Sequence, residues 1–243
     1  MDILKTLKDR CDPRYAALIV VDVQNDFVSP EGSAGKRGDD VGAAIAMIPN
    51  LTRLIDEARK VGLTVVYIRT THSEWTDTAS WIYRTSQKSG LSTCREGTWG
   101  AEFYDGIAPL PSERVVIKHR YSAFIGTDLD MLLRARGIKS LLVTGVGTGM
   151  CVFHTLTVGF MLDYYITLVE DCCATTYGPQ AHNEAVALLE QTLEEEKATD
   201  KKLTMLAETS INVADPKVFI GLLIGGAVPF LFSALAIRAV GRS

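Results

Sequence analysis

The sequence predicts an α/β fold: a doubly wound, mostly parallel sheet with helices on both faces, plus a separate apolar C-terminal helix. Two observations point to the sheet. Runs such as AALIVVDV are continuously apolar and β-branched up to an aspartate at their end, which suits strands buried on both faces. Segments with apolar residues at helical spacing separate these runs. Alternation of strand and helix builds a parallel sheet whose ligands gather at the C-terminal strand ends.

Taken in order, Ala16 to Val23 is the first strand and ends beside Asp22; the following QNDFVSPEGSAGKRGDD has loop composition. Residues 44–60 place Ile45, Ile48, Leu51, Leu54, Ile55 and Ala58 on one helical face, and Gly62 ends that helix. LTVVYIRT (63–70) is the second strand. Residues 71–112, rich in Ser, Thr, Gly and Trp, form one long connection, of a length that is functional or holds short elements of its own. RVVIKH (114–119) is the third strand, and residues 128–137 are a helix closed by Gly137. Strand 140–146, a helix from about Met150 to Leu162, strand 165–171 and a helix near Pro179 to Lys197 complete the alternation.

A chain of 243 residues with 47% apolar and 22% charged residues can bury one sizeable core. The net charge of −4, without a basic stripe interleaved with aromatics, gives no sign of a nucleic-acid partner. Five irregularly spaced cysteines (11, 94, 151, 172 and 173) and an N-terminus without a signal peptide's apolar core favour free thiols in the cytoplasm. No Cys or His spacing suits zinc.

Chemistry concentrates at three strand ends. Asp22 closes the first strand, Lys118 the third, and Cys151 follows the fourth at a helix start. In a parallel sheet these ends share one edge, so an acid, an ammonium and a thiol converge. A helix N-terminus and a nearby ammonium lower a thiol pKa from its ~8.5 reference, and Lys118 supplies the ammonium. Asp22 is placed to take the thiol proton and later to activate water. Gly147 and Gly149 allow backbone amides to aim at a developing oxyanion. The competing reading, a dinucleotide-binding loop, requires a small residue at position 150, where Met150 stands, and the first strand ends in DVQNDF instead.

ALIVVDVQNDF, VVIKHRYSAFIGTDLDMLLRARGIKSLLVTGV, GTGMCV and ITLVEDCCAT resemble the isochorismatase-like cysteine hydrolase superfamily over residues 14–190. The resemblance implies an Asp22–Lys118–Cys151 triad. It also implies a cis peptide at Gly147–Thr148, an oxyanion hole from the Thr148 and Cys151 N–H groups, no cofactor, and a homo-oligomeric assembly. Members that cleave the vinyl ether of isochorismate lack this cysteine, so its presence implies C–N hydrolysis of a small amide or N-carbamoyl compound through a thioester. Two departures stand beside the nucleophile: Gly149 replaces an asparagine, and Phe153 and His154 replace polar residues. Nicotinamidases in the superfamily bind a metal after the second strand; RTTHSEW offers His72 without a D-x-H pattern, so no metal is expected.

Phe27, Trp99, Tyr121 and Phe124 are the candidate apolar wall of a substrate pocket, as small-ligand sites favour. His72 reads as a loop histidine, His154 as packed or solvated, Cys172 and Cys173 as packing residues, and Trp75 and Trp81 as subunit contacts. The domain occupies residues 1–191, followed by a polar linker over 192–217. Val218 to Ile237 is then a charge-free stretch long enough to span a membrane as a helix. Residues 211–243 resemble an internal piece of membrane-bound, ion-translocating pyrophosphatases, which implies a tail of foreign origin or a membrane anchor. The alternative to an amidase is a catalytically silent or membrane-tethered binding module, suggested by the altered surroundings of Cys151 and by this tail.

Overall fold

The computed structural model describes residues 3–86, 93–194 and 237–240. α1 (Leu7–Arg10) is one capped turn, with Asp9 N–H donating to the Thr6 hydroxyl and Thr6 N–H to the Asp9 carboxylate. β1 (Ala16–Val21) follows, and the stretch of loop composition after it holds two short helices, α2 (Asn25–Val28) and α3 (Ser33–Lys36). α4 (Gly42–Lys60) and β2 (Thr64–Thr70) match the periodicities that predict them. The long connection has elements of its own: α5 (Ala79–Ser86) and a 3-10 turn at Trp99–Ala101.

β3 (Arg114–Lys118), α6 (Leu129–Ala135) and β4 (Ser140–Val146) come next. The helix expected from Met150 divides into a π-helical turn, Thr148–Val152, and α7 (Phe153–Met161). β5 (Tyr165–Ala174) runs three residues further than its apolar pattern, because Cys173 and Ala174 keep pairing with Gly145 and Val146 past a bulge. α8 (Pro179–Glu194) takes in the first residues of the expected linker.

The strand order is β3-β2-β1-β4-β5-β6, with β1 to β5 all parallel. Successive residues of β1 point to opposite faces, and both faces are covered. Leu18 and Val20 pack with Met47, Leu51 and Ile55 of α4. Ile19 and Val21 pack with Leu133 of α6, Leu156 of α7 and Val186 of α8. This two-sided burial is why β1 is apolar throughout.

The tail departs from expectation. Residues 195–236 lie outside the described residues, and with them most of the expected linker and all but the last residue of the apolar stretch. That last residue, Ile237, opens β6 (Ile237–Val240), which pairs antiparallel with β5 from Val169 to Ile166 and occupies backbone groups on that edge. Among the described residues no helix is long and apolar enough to cross a membrane.

Candidate active site

Parallel register places the strand ends level with one another. Val21 pairs with Ile68 and Gly145, and Thr70 pairs with Lys118. The chain turns both ways from β1, to β2 on one side and β4 on the other, so the crevice opens at the switch point of the sheet. Asp22, just past β1, adopts a left-handed backbone (φ 53°), a conformation aspartate tolerates better than most residues. Its N–H donates to Ile68 O at 3.0 Å, which fixes the carboxylate against β2.

Cys151 is positioned by glycines. A Cβ on Gly145 would sit 2.0 Å from the Val21 carbonyl oxygen, so only glycine lets β4 pass β1 this closely. Gly147 is left-handed (φ 87°, ψ 59°) and starts the π-helical turn; Met150 N–H and Val152 N–H both donate to its carbonyl, at 2.8 and 3.1 Å. No peptide bond among the described residues is cis, which corrects the cis peptide expected at Gly147–Thr148. The left-handed glycine makes the turn with a trans peptide. Thr148 is buried with its hydroxyl 2.9 Å from His182 Nδ1, which ties the turn to α8.

The three expected residues meet. Lys118 is buried, and its Nζ lies 2.7 Å from Asp22 Oδ2 and 3.3 Å from Cys151 Sγ. Nζ also donates to Thr70 Oγ1 at 2.6 Å and to Arg120 O at 3.0 Å, and the Thr70 hydroxyl donates onward to Asp22 Oδ1 at 3.0 Å. Thr70 thus braces acid and ammonium together. Sequence reasoning passed over it, although its place at the end of β2, in register with Lys118, was the available signal. Asp22 Oδ2 faces the Lys118 ammonium at 2.7 Å inside a buried site, and Asp22 also hydrogen-bonds with the Cys151 thiol.

The electrostatics overturn one expectation. The Cys151 thiol is pushed up to about 12, not lowered. Burial is the main cause; Lys118 opposes it, and the charge and hydrogen bond of Asp22 add to the rise. Lys118 itself is raised: burial disfavours its charge, but Asp22 and Cys151 together outweigh that cost. The resting centre is therefore an Asp22–Lys118 ion pair beside a protonated thiol.

A cavity of about 120 Å³ opens over these groups. Phe27 and Tyr121 line it, and Trp99 and Phe124 do not. Trp99 is 52% exposed on its 3-10 turn, and Phe124 is 8% exposed and stacked on Tyr164 at 5.8 Å in the second core. Trp81 and His72, read as subunit contact and loop residue, also line the cavity, stacked at 5.6 Å; Trp75 is 97% exposed. His72 Nδ1 lies 2.8 Å from the Asp77 carboxylate, and Arg95 pairs with the other Asp77 oxygen. Burial lowers the His72 pKa, so the ring is neutral near pH 7. His154 stacks on Tyr121 at 5.5 Å, and Cys172 and Cys173 are buried as packing residues. No group of three or more His, Cys, Asp or Glu among the described residues could hold a metal ion.

The far wall is held by the QND of residues 24–26. Gln24 Nε2 donates to Thr70 O and Ala101 O, both at 2.8 Å, and Gln24 Oε1 accepts Thr70 N–H. Asn25 Nδ2 donates to Trp99 O, while the Asp26 carboxylate accepts Cys94 N–H and Ser33 N–H. The loop composition of this stretch conceals a clamp that docks the long connection over the site.

Residues 16–196 match the isochorismatase domain. A ureidoacrylate amidohydrolase, RutB of Caulobacter vibrioides, is 34% identical over 173 residues, covering 66% of this chain and 77% of that one. An isochorismatase family protein from Desulfovibrio vulgaris superposes with a TM-score of 0.65 at 33% identity, over 74% of this chain and 91% of that one. The N-carbamoylsarcosine amidase of Thermoplasma acidophilum superposes with a TM-score of 0.59 at 30% identity, over 72% and 92%. These comparisons lend no support to the pyrophosphatase resemblance of the tail. The match takes in all five parallel strands and the turn that carries Cys151, and on that basis the chain belongs to the isochorismatase family.

Proposed function

We propose that this chain is a cysteine hydrolase that cleaves the C–N bond of a small amide or N-carbamoyl compound through a thioester. One observation carries the reading: the Lys118 ammonium touches both Asp22 and Cys151 on the floor of a cavity. The names of its amidase relatives support the bond type.

In this mechanism the Asp22 carboxylate, hydrogen-bonded to the thiol, takes the Cys151 proton as sulfur attacks the carbonyl carbon. The raised thiol pKa makes this transfer part of the attack rather than a step before it. Negative charge moves to the carbonyl oxygen, and the Thr148 and Cys151 N–H groups at the π-helical turn receive it. Collapse breaks the C–N bond, and Asp22 returns its proton to the departing nitrogen, releasing ammonia or an amine. Water, deprotonated by Asp22, then attacks the thioester; the acid leaves and the thiol regains its proton. Lys118 offsets the negative charge that builds on sulfur throughout.

The test is ammonia release from nicotinamide, biuret, ureidoacrylate and N-carbamoyl amino acids by wild type and Cys151→Ala. Turnover of the accepted substrate should fall by about 10³-fold or more in the variant. Undiminished turnover would remove Cys151 as the nucleophile.

A further inference from the structure

Five cationic side chains line the cavity: Arg37, Arg84, Arg95, Lys118 and Arg120. Three have a carboxylate at hand. Lys118 pairs with Asp22, Arg95 with Asp77, and Arg37 with Asp39 at 2.8 Å. Arg84 and Arg120 have no acidic partner among the described residues. The cavity therefore carries two positive charges that the described residues do not balance with a carboxylate, in a space already walled by aromatic rings. A low-dielectric wall strengthens such a field and draws an anion to it.

The two arginines differ in what they have left to give. Arg120 is committed: its guanidinium donates to the carbonyls of Thr76 at 3.1 Å and His119 at 2.6 Å and lies 4.8 Å over the Trp81 ring. It contributes charge from a fixed place. Arg84 sits on α5, with its guanidinium 5.3 Å over Tyr121 and only Nε engaged, to the Tyr121 hydroxyl at 3.2 Å. Its two terminal nitrogens make no hydrogen bond among the described residues. A stacked, planar fork with free N–H groups is the arrangement that receives a carboxylate.

We propose that the substrate carries a carboxylate remote from its scissile C–N bond, and that Arg84 is the residue that selects for it, with Arg120 adding to the field. This rests on the amidase reading for the word substrate, but the anion site can be measured without turnover. The probes are N-carbamoylglycine, 3-ureidopropionate and 4-ureidobutyrate, each against the alkylurea of the same length. Binding is measured by calorimetry on the full chain carrying Cys151→Ala, then on the same chain with Arg84→Gln or Arg84→Lys added.

At least one ureido acid should bind about 10- to 100-fold tighter than its alkylurea, and Arg84→Gln should erase most of that preference. Arg84→Lys should retain part of it, since it keeps the charge and loses the fork. Rising salt should weaken the acids and leave the alkylureas unaffected. Equal binding of acid and alkylurea, no binding by any probe, or a preference that survives Arg84→Gln overturns the proposal. Arg84-dependent binding of an acid that wild type fails to hydrolyse would instead count against the amidase reading and leave the anion site standing.

Discussion

Thr70 is where a single hydroxyl holds two members of the proposed triad. Its hydroxyl accepts from Lys118 and donates to Asp22, so Thr70→Val removes a brace from both ends of a buried ion pair. Leaving those groups underpaired costs about 1–3 kcal/mol, and the acid–thiol geometry loosens with it. We expect Thr70→Val to lower both the melting temperature and kcat/KM, the latter by about 10-fold or more, while Thr70→Ser keeps most of each. Thermal melts and steady-state ammonia release check this; wild-type kinetics in the valine variant would show that the hydroxyl plays no part. The same scale explains a missed expectation. A helix start and an ammonium are legible in sequence and argue for a depressed thiol pKa. The depth of burial around Cys151 is not legible, and it decides the sign.

At the scale of the element, the turn after β4 separates two uses of glycine that look alike in the sequence. Gly145 is small because β1 is pressed against it, whereas a methyl group on Gly147 would meet only ordinary contacts, the nearest at 3.4 Å, and Gly147 is glycine for its left-handed backbone. Gly145→Ala should therefore cost at least about 3 kcal/mol and be read in yield and denaturant midpoint, since two central strands must part. Gly147→Ala should cost only about 1–2 kcal/mol but displace Cys151, so activity falls further than stability. Equal stability losses in the two would show that the distinction is false. β1 and β4 were legible because they are buried on both faces and apolar over most of their length, whereas β3, at the edge with Arg114 and Ile117 exposed, offered only the short run VVI. β6 was not legible, because a strand that completes a sheet edge is recognised by the edge it meets, and the residues before it read as an apolar helix.

Over the whole molecule, all five thiols are shifted upward, with Cys11 and Cys151 at about 12. Burial is the leading cause each time. A thiol that ionises at about 8.5 when unfolded and higher when folded favours the native state while protonated. Its contribution is intact below about pH 8.5 and is lost as pH rises toward 12. Urea midpoints in reducing buffer should accordingly decline from pH 8.5 upward, and a midpoint flat to pH 10.5 would contradict the burial. The convergence of Asp22, Lys118 and Cys151 was legible from topology alone, since strand ends in a parallel sheet share an edge. The wall of the cavity was not: Trp99 and Phe124 were expected there, and His72, Trp81 and Arg84 form it instead, because loops and a short helix place their side chains by contacts that no periodicity encodes. The way Gln24, Asn25 and Asp26 grip the segment from Cys94 to Ala101 beside the cavity has a consequence for how the enzyme can change. They hold it almost wholly by backbone N–H and C=O groups, which every sequence possesses. Apart from Gly100, which lies too close to Asp26 to bear a side chain, the residues of that segment can be exchanged without losing the hydrogen bonds that hold it. Such a design lets selectivity drift, or be redirected by mutation, while the reacting groups stay where they are.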